Sequence, residues 1–257
     1  GLSSALDSPE AFEAFREWTD LFNRYGLERQ VQSFYNHFRR GTMPIGIADF
    51  NQYMQLLVAA PELANRWAIA PVPGRVNEDG VVERWISSQG DNGVASTSAM
   101  MFNRTSERKQ EAAWAFIRWY LSEETQTAFG MNLEMFYGEA FRWNSAHIDA
   151  FAAMPWKSGD LPVFLRQWKW VKELPNVPGG YMTGRELGFA WNRAVIDMEK
   201  PRVALDKAVK QINRELLRKQ REFGLVDERG APRTSLELPQ ITDPWEVADT
   251  YAEQYAN

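Results

Sequence analysis

The chain has 257 residues, a formal net charge of −5 and no cysteine. A chain of this length can bury one sizeable hydrophobic core or two smaller ones. The acidic total argues against nucleic acid as the main partner, and the absence of cysteine excludes disulfides, thiolate metal sites and cysteine nucleophiles. The sequence has no run of eighteen apolar residues, so it predicts no membrane-spanning segment.

Three helices are predicted in the first part of the chain. Ser8, Pro9 and Glu10 supply an N-cap, a proline at the first helical position and an acid in the first turn. Apolar residues then recur at helical spacing as far as Gly26. The other two helices are predicted over residues 31–38 and 51–59. Further helices are predicted over residues 106–121, 123–129, 145–152, 161–174, 184–198 and 201–223.

Few strands are predicted. Short apolar or β-prone stretches indicate strands at residues 42–47, 67–72 and 93–102. A polar hairpin or loop is predicted over residues 76–80. The chain becomes polar after Gly224, with one short helix predicted over residues 244–255. Few strands among many helices predict an α/β fold that is mostly helical with a small sheet.

The turn formed by residues 178–185 carries the richest local chemistry. Its glycines allow close approach of a ligand to the backbone. Tyr181 offers an aromatic ring with a hydroxyl, and Arg185 offers a planar guanidinium; such groups stack against sugar rings and bind hydroxyls or carboxylates. An arginine behind a turn also bonds to carbonyls at a helix end, so a structural role for Arg185 stays open.

No catalytic arrangement is predicted. His37 and His147 are isolated in sequence from any obvious carboxylate or serine partner, and Glu123 and Glu124 are adjacent, so they do not face each other on a helix. The chain is therefore predicted not to be an enzyme and to need neither a cofactor nor a metal. The basic residues of segment 207–221 recur at helical spacing, which predicts a solvated helix face.

Several segments, taken in order, resemble one bacterial family. They are Phe38-Arg-Arg-Gly41, Ile45-Gly-Ile-Ala-Asp49, Trp67-Ala-Ile-Ala-Pro-Val-Pro-Gly74, Lys109-Gln-Glu-Ala-Ala-Trp114, Glu173-Leu-Pro-Asn-Val-Pro-Gly-Gly-Tyr181, Pro201-Arg202 and Ile212-Asn-Arg-Glu-Leu216. Together they cover most of residues 8–225. They resemble the C-terminal part of the extracellular solute-binding proteins of family 1, the maltose-binding-protein-like carbohydrate receptors of ABC importers.

The resemblance implies a periplasmic-binding-protein type II-like fold whose N-terminal lobe is largely missing. Residues 1–225 would be the C-terminal portion of such a protein, and residues 226–257 a polar C-terminal extension. The implied protein is extracytoplasmic, either anchored at the cell surface or periplasmic. It binds a mono- or oligosaccharide in an aromatic-lined cleft and delivers it to ABC permease subunits in the membrane. A glycoside hydrolase and a protein-interaction domain are the alternatives.

Ten residues are predicted to contact the ligand. The resemblance places the first of them where a helix begins after residue 47, although Asp49 is also a good N-cap. Polar residues before the third predicted strand can bond to hydroxyls, although glycine-rich turns also favour Asp and Asn. Trp168 and Trp170 lie on different helix faces, so at most one of them faces a ligand. The ten are Asp49, Phe50, Asn51, Tyr53, Trp85, Gln89, Asp91, Trp168, Tyr181 and Arg185.

Overall fold

The computed structural model describes residues 3–30, 32–87, 99–172 and 177–233. In chain order, the α-helices of this part are α1 (Pro9–Asn23), α2 (Phe34–Arg39), α3 (Phe50–Ala59), α4 (Glu107–Tyr120), α5 (Glu123–Tyr137), α6 (Ile148–Ala152), α7 (Asp160–Trp168), α8 (Tyr181–Val195) and α9 (Pro201–Glu222). The strands are β1 (Arg75–Val76), β2 (Val82–Glu83), β3 (Ile86–Ser87) and β4 (Val171–Lys172). Short 3-10 turns occur at Pro61–Leu63 and Glu139–Phe141.

The structure is mostly helical with a small amount of sheet, as predicted. β1 pairs with β2 in an antiparallel hairpin, and β3 pairs with β4 in parallel. The described residues fall into two compact units. The first unit contains the residues up to 32 and those from 177 to 233, and the second contains residues 33–172. None of the described helices is both long and apolar enough to cross a membrane.

The helix starts follow the capping residues of the sequence. The Ser8 side chain accepts a hydrogen bond from the backbone N–H of Ala11, and Pro9 occupies the first turn of α1. Asp49 caps α3 in the same way through the N–H of Gln52. Each bond satisfies a backbone donor that the first helical turn leaves without a partner. These two starts are therefore fixed locally, as the sequence predicts.

The first unit packs α1, α8 and α9 around a core rich in small residues. Ala190 and Ala194 of α8 and Ala204 and Ala208 of α9 are 0–1% exposed. Small side chains at this contact let the two helices approach closely. Phe15 of α1 completes the core. Residues 226–233, the start of the predicted extension, belong to this unit, and the side chain of Val226 is buried among the described residues.

The second unit is built on aromatic rings. Phe151 and Leu165 are fully buried at its centre. We name the rings gathered there the aromatic cluster: Phe50, Tyr53, Phe151, Trp156, Phe164 and Trp168. Their centroids lie 4.3–6.5 Å apart in tilted, stacked and edge-to-face pairs. Such pairs add stabilisation beyond the apolar area that they bury, so the cluster forms a firm support for α3 and α7.

Two predicted strands are wrong. Residues 42–47 and 67–72 form no strand in the described part of the chain. Pro44 and Pro71 lack the N–H that a sheet ladder needs, and the N–H of Val72 donates to the side chain of Gln167 instead of to a strand. For the third predicted strand, residues 99–102 are not strand and residues 93–98 lie outside the described part.

Five helices differ from the prediction at a boundary by three residues or more. α6 covers Ile148–Ala152 instead of residues 145–152, and α8 covers Tyr181–Val195 instead of residues 184–198. α2 begins at Phe34 after its cap Ser33, and α5 continues past Phe129 to Tyr137. α7 ends at Trp168, and the chain then enters β4, which was predicted as helix. The β-branched Val171 pairs there with Ile86 of β3, a tertiary contact that outweighs local helical spacing. The short helix predicted at residues 244–255 lies outside the described part.

Candidate functional site

Tyr181 is the first residue of α8, and its ring is 63% exposed. Its hydroxyl donates a hydrogen bond to the carboxylate of Glu215 on α9. Arg218 also binds Glu215, with Nη2 2.6 Å from Oε1. The hydrogen bonds from Arg218 and Tyr181 lower the pKa of Glu215 to about 2. Sequence reasoning missed Glu215, because it lies 34 positions away among the charges of α9.

The turn before Tyr181 needs a glycine at position 179. Gly179 has φ +87°, and a Cβ there would lie 3.2 Å from backbone atoms of Glu215 and Leu216. The turn is therefore seated directly on α9. Tyr181 follows this turn as the first residue of α8.

Arg185 lies one helical turn after Tyr181 on the same face of α8. Its guanidinium lies 5.5 Å from the centroid of the Phe189 ring, a cation–π distance, and the residue is exposed. Tyr181 and Arg185 are therefore both exposed and share one face of α8. Their contact with a ligand stays a prediction.

Asp49 and Asn51 lie at the exposed start of α3. Asp49 Oδ1 accepts the N–H of Gln52 at 2.9 Å, so its N-cap role is confirmed. Asn51 Nδ2 donates to Asp49 Oδ2 at 3.4 Å. The remaining lone pairs of Asp49 and the amide group of Asn51 face solvent, where they can accept from or donate to hydroxyls.

Tyr53 lies inside the second unit. Its side chain is 5% exposed, and its hydroxyl donates to Asp160 Oδ2 at 2.8 Å. Burial first, and then the bond to Asp160, raises the pKa of the Tyr53 hydroxyl well above its usual value. Tyr53 thus joins α3 to α7 and presents no open ring face to a ligand. The spacing of Phe50, Tyr53 and Met54 was the signal for this buried helix face.

Phe50 and Trp168 are half-buried members of the aromatic cluster. Phe50 contacts the rings of Tyr53 and Phe164 at 5.9 and 5.7 Å. Trp168 lies 4.4 Å from Phe151. Both rings therefore pack against other members of the aromatic cluster, and both residues are half-buried.

Trp85 is the most exposed aromatic side chain of the predicted set in the second unit, at 51%. Its ring meets Trp170 edge-to-face at 4.9 Å, and its Nε1 donates to Glu83 Oε2 at 3.1 Å. These contacts hold the indole in one orientation while leaving much of it open. The prediction that Trp168 and Trp170 lie on different faces of one helix is wrong, because α7 ends at Trp168 and Trp170 lies in the following turn. Both rings are half-buried, Trp168 against Phe151 and Trp170 against Trp85.

Helix α7 connects these groups. The side chain of Gln167 in α7 forms two hydrogen bonds. Its Nε2 donates to the carbonyl of Arg84 at 2.9 Å, and its Oε1 accepts from the N–H of Val72 at 2.8 Å. The same helix carries Phe164 and Trp168, which belong to the aromatic cluster under Phe50. Candidate residues from three distant stretches of sequence therefore share one rigid support. Gln89 and Asp91 lie outside the described residues, and Tyr181 and Arg185 belong to the first unit.

Arg142 is a buried cation that sequence reasoning did not single out. It forms two hydrogen bonds to Glu134, 2.8 and 2.7 Å long, and its guanidinium lies 5.3 Å from the Trp156 ring. Arg142 therefore links Trp156 of the aromatic cluster to Glu134 of α5. Within the described ranges, no three His, Asp or Glu side chains are grouped so that they could hold a metal ion.

Two open hollows lie along α1 in the first unit, and neither includes a predicted site residue. The exposed candidate residues of the described part are Asp49, Asn51, Trp85, Tyr181 and Arg185. A scan against models of known protein families finds no match, and no curated protein matches the chain.

Proposed function

We propose that this chain binds a carbohydrate without changing it, as the extracytoplasmic solute-binding component of an ABC importer with a periplasmic-binding-protein type II-like fold. The sequence resemblance motivates this proposal, and the geometry of Trp85 is the observation that carries it. The indole of Trp85 is 51% exposed and contacts Trp170 and Glu83, and an aromatic ring of this kind stacks against the C–H side of a sugar ring.

The same unit carries polar side chains that can form hydrogen bonds to sugar hydroxyls. Asp49 and Asn51 are exposed, and α7 ties their helix to the strand segment that carries Trp85. Sites for small polar molecules combine aromatic faces with a few oriented polar groups in this way. The rigid aromatic cluster beneath them limits the conformational entropy that binding would cost.

The test compares two exposed tryptophans by calorimetry with a panel of neutral mono- and oligosaccharides. Trp85→Ala removes the proposed platform, whereas Trp114→Ala removes an indole of similar exposure, 53%, on α4. We expect roughly tenfold weaker binding for the first variant, the scale of about 1.4 kcal/mol. We expect no change for the second. Equal affinities for both variants and the unmodified chain would remove Trp85 from the site.

A protein-interaction domain is the second candidate, and α4 and α5 supply the observation for it. None of the fourteen residues of α4 is buried, and Trp114, Phe116 and Trp119 are 53–60% exposed. On α5, Met135 and Phe136 are 69% and 73% exposed. An exposed apolar patch of this kind marks a surface that another polypeptide covers.

Analytical ultracentrifugation separates the two candidates. If the chain functions by protein association, the double variant Trp119→Ser with Phe136→Ser loses the self-association or partner binding of the unmodified chain. In that case the unmodified chain also gives no binding heat with any sugar of the panel. If it functions by sugar binding, the same double variant keeps the calorimetric affinity of the unmodified chain.

A further inference from the structure

The outward side of α1 carries a stripe of exposed apolar side chains. The inward side of this helix is closed, because Phe15 and Thr19 are buried in the first unit. We name the outward stripe the α1 seam: Ala14, Trp18, Leu21 and Tyr25. All four residues are exposed, and the last three are 38%, 41% and 65% exposed in chain order.

The α1 seam has the residue spacing of a coiled-coil contact line. Its members follow one another at intervals of four, three and four residues, which is the alternation of d and a positions in a heptad. α1 ends at Asn23, but the chain keeps turning, since the N–H of Tyr25 donates to the carbonyl of Asp20 at 3.0 Å. A line of this kind packs against a second helix with the same spacing.

The first unit packs against one edge of the α1 seam and leaves the other side open. The centroid of the Trp18 ring lies 6.1 Å from those of Phe15 and Trp191. Leu21 and Tyr25 line an open hollow on the same helix surface. The side chains of another helix can therefore reach the seam without displacing any part of the first unit's core.

Two opposite charges flank the α1 seam and line the same hollow. Glu17 precedes Trp18 and Arg24 precedes Tyr25, so both charges occupy the g position of their heptads. Both side chains are exposed, and neither forms an ion pair with another of the described residues. Seven positions separate them, about 10 Å along the helix, which is too far for a bond within one copy. A second α1 laid antiparallel places its Arg24 opposite Glu17, and its Glu17 opposite Arg24.

We propose that two copies of this chain associate through the α1 seam, with their α1 helices packed antiparallel. Trp18 of each copy then packs against Leu21 of the other copy. In the same way, Tyr25 packs against Ala14, so that a large side chain meets a small one in each layer. The contact uses the same surface on both copies, so association stops at the dimer. Parallel packing would leave both flanking charges without an opposite partner.

The size of the contact sets its strength. Four side chains per copy make a smaller contact than a standard interface of about 800 Å² per partner, so the dimer is weak, with a dissociation constant in the micromolar to millimolar range. Salt screens the two exposed ion pairs and raises this dissociation constant. The association is independent of the proposed sugar binding, because none of the ten candidate ligand contacts lies on α1.

Charge reversal tests the ion pairs, and analytical ultracentrifugation of the full chain across that concentration range is the measurement. Glu17→Arg sets two arginines against each other, and Arg24→Glu sets two glutamates against each other. Each variant alone should therefore dimerise about tenfold more weakly than the unmodified chain. An equimolar mixture of the two variants should recover the dimer, because every pair is again opposite in sign. Both positions are exposed, so neither change disturbs the core.

A matched pair of leucines tests the apolar contact. Leu21→Ser removes the centre of the α1 seam, whereas Leu121→Ser removes a leucine of similar exposure, 50% against 41%, at the end of α4. We expect the first variant to be monomeric and the second to dimerise like the unmodified chain. A chain that is monomeric throughout the range, or a dimer that survives Leu21→Ser, would overturn the proposal.

Disulfide cross-linking tests the antiparallel orientation, since the chain has no cysteine of its own. A mixture of Ala14→Cys and Tyr25→Cys should give a cross-linked dimer under oxidising conditions, because these positions face each other. Ala14→Cys alone should not, because the two copies of position 14 lie at opposite ends of the contact. Cross-linking of Ala14→Cys with itself, or recovery of no dimer from the mixed charge variants, would also overturn the proposal.

Discussion

The hydroxyl of Tyr53 donates a hydrogen bond to Asp160 Oδ2 at 2.8 Å, and both side chains are buried. The bond joins α3, which begins at the candidate residues Asp49–Asn51, to α7, which supports the segment bearing Trp85. The geometry of the exposed candidate residues in the second unit therefore depends on a contact that no ligand touches. This makes Tyr53 a support for the site.

Tyr53→Phe should destabilise the chain by about 1–3 kcal/mol, because it leaves the buried carboxylate of Asp160 without its donor. Tyr35→Phe is the matched control, since its hydroxyl donates to the carbonyl of Ala59 at an exposed position, where the loss should be about 0.5 kcal/mol. Urea unfolding of the three proteins measures both values. Equal midpoints for the two variants would contradict the assigned role of Tyr53.

Raising the pH above about 10 should weaken the hydrogen bond between Tyr53 and Asp160. The folded-state pKa of Tyr53 is raised above the value in the unfolded chain, about 10, so the folded protein retains this proton longer. The stabilisation is fully present below pH ~10 and is lost as pH rises toward the folded-state pKa. We expect the stability of the unmodified chain to fall more steeply above pH ~10 than that of Tyr53→Phe. Parallel stability curves for the two proteins would refute the linkage.

Lowering the pH should weaken the contact between Tyr181 of α8 and Glu215 of α9. The pKa of Glu215 is lowered to about 2 by Arg218 and Tyr181, whereas a free glutamate has a pKa near 4.3. Its stabilising contribution is present above pH ~4.3 and is lost as pH falls toward about 2. Glu215→Gln should therefore flatten the acid limb of the stability curve, and Tyr181→Phe should flatten it partly because Arg218 remains. An unchanged acid limb in Glu215→Gln is the result that would count against this assignment.

Two glycines near the Tyr181 turn should respond oppositely to alanine. Gly179→Ala meets a left-handed backbone and atoms of Glu215 and Leu216 at 3.2 Å, so it should cost about 1–3 kcal/mol. Gly184→Ala lies within α8 with nothing within 4 Å, so it should stabilise by up to about 1 kcal/mol. Thermal melts of both variants check the signs. Stabilisation by alanine at position 179 would show that the turn is not seated on α9.

The helical framework follows from local sequence, and the strands do not. Ser8 and Asp49 mark their helix starts because an N-cap acts on backbone groups two or three residues away. The stretch at residues 67–72 has β-prone residues, but the N–H of Val72 donates to the side chain of Gln167, 95 positions away. No local pattern predicts such a contact, which is why this segment was mistaken for a strand.

The sequence also predicted the environment of the candidate site residues only in part. Tyr181 and Trp85 are exposed, and their contact with a ligand stays a prediction. Tyr53 shows the limit, because a ligand-facing tyrosine and a core tyrosine look alike until the partner Asp160 is known. The helical spacing of Phe50, Tyr53 and Met54 was the available signal, and it indicates burial.

Tyr181→Ala should separate binding from stability. An exposed ring contributes little to a core, so the loss of unfolding free energy should stay well below the roughly 3–5 kcal/mol of a buried aromatic residue. If Tyr181 contacts the sugar, affinity should fall by about 1–3 kcal/mol. Paired melts and titrations measure both. A large fall in melting temperature with unchanged affinity would make Tyr181 a structural residue.

The central claim is that the chain binds a sugar and releases it unaltered. The most direct measurement is calorimetric titration of the unmodified chain with the carbohydrate panel, followed by chromatography of the recovered sugar. The account predicts a saturable heat with at least one neutral sugar, which is recovered intact. A panel with no saturable heat, or a sugar recovered as hydrolysis products, would contradict it.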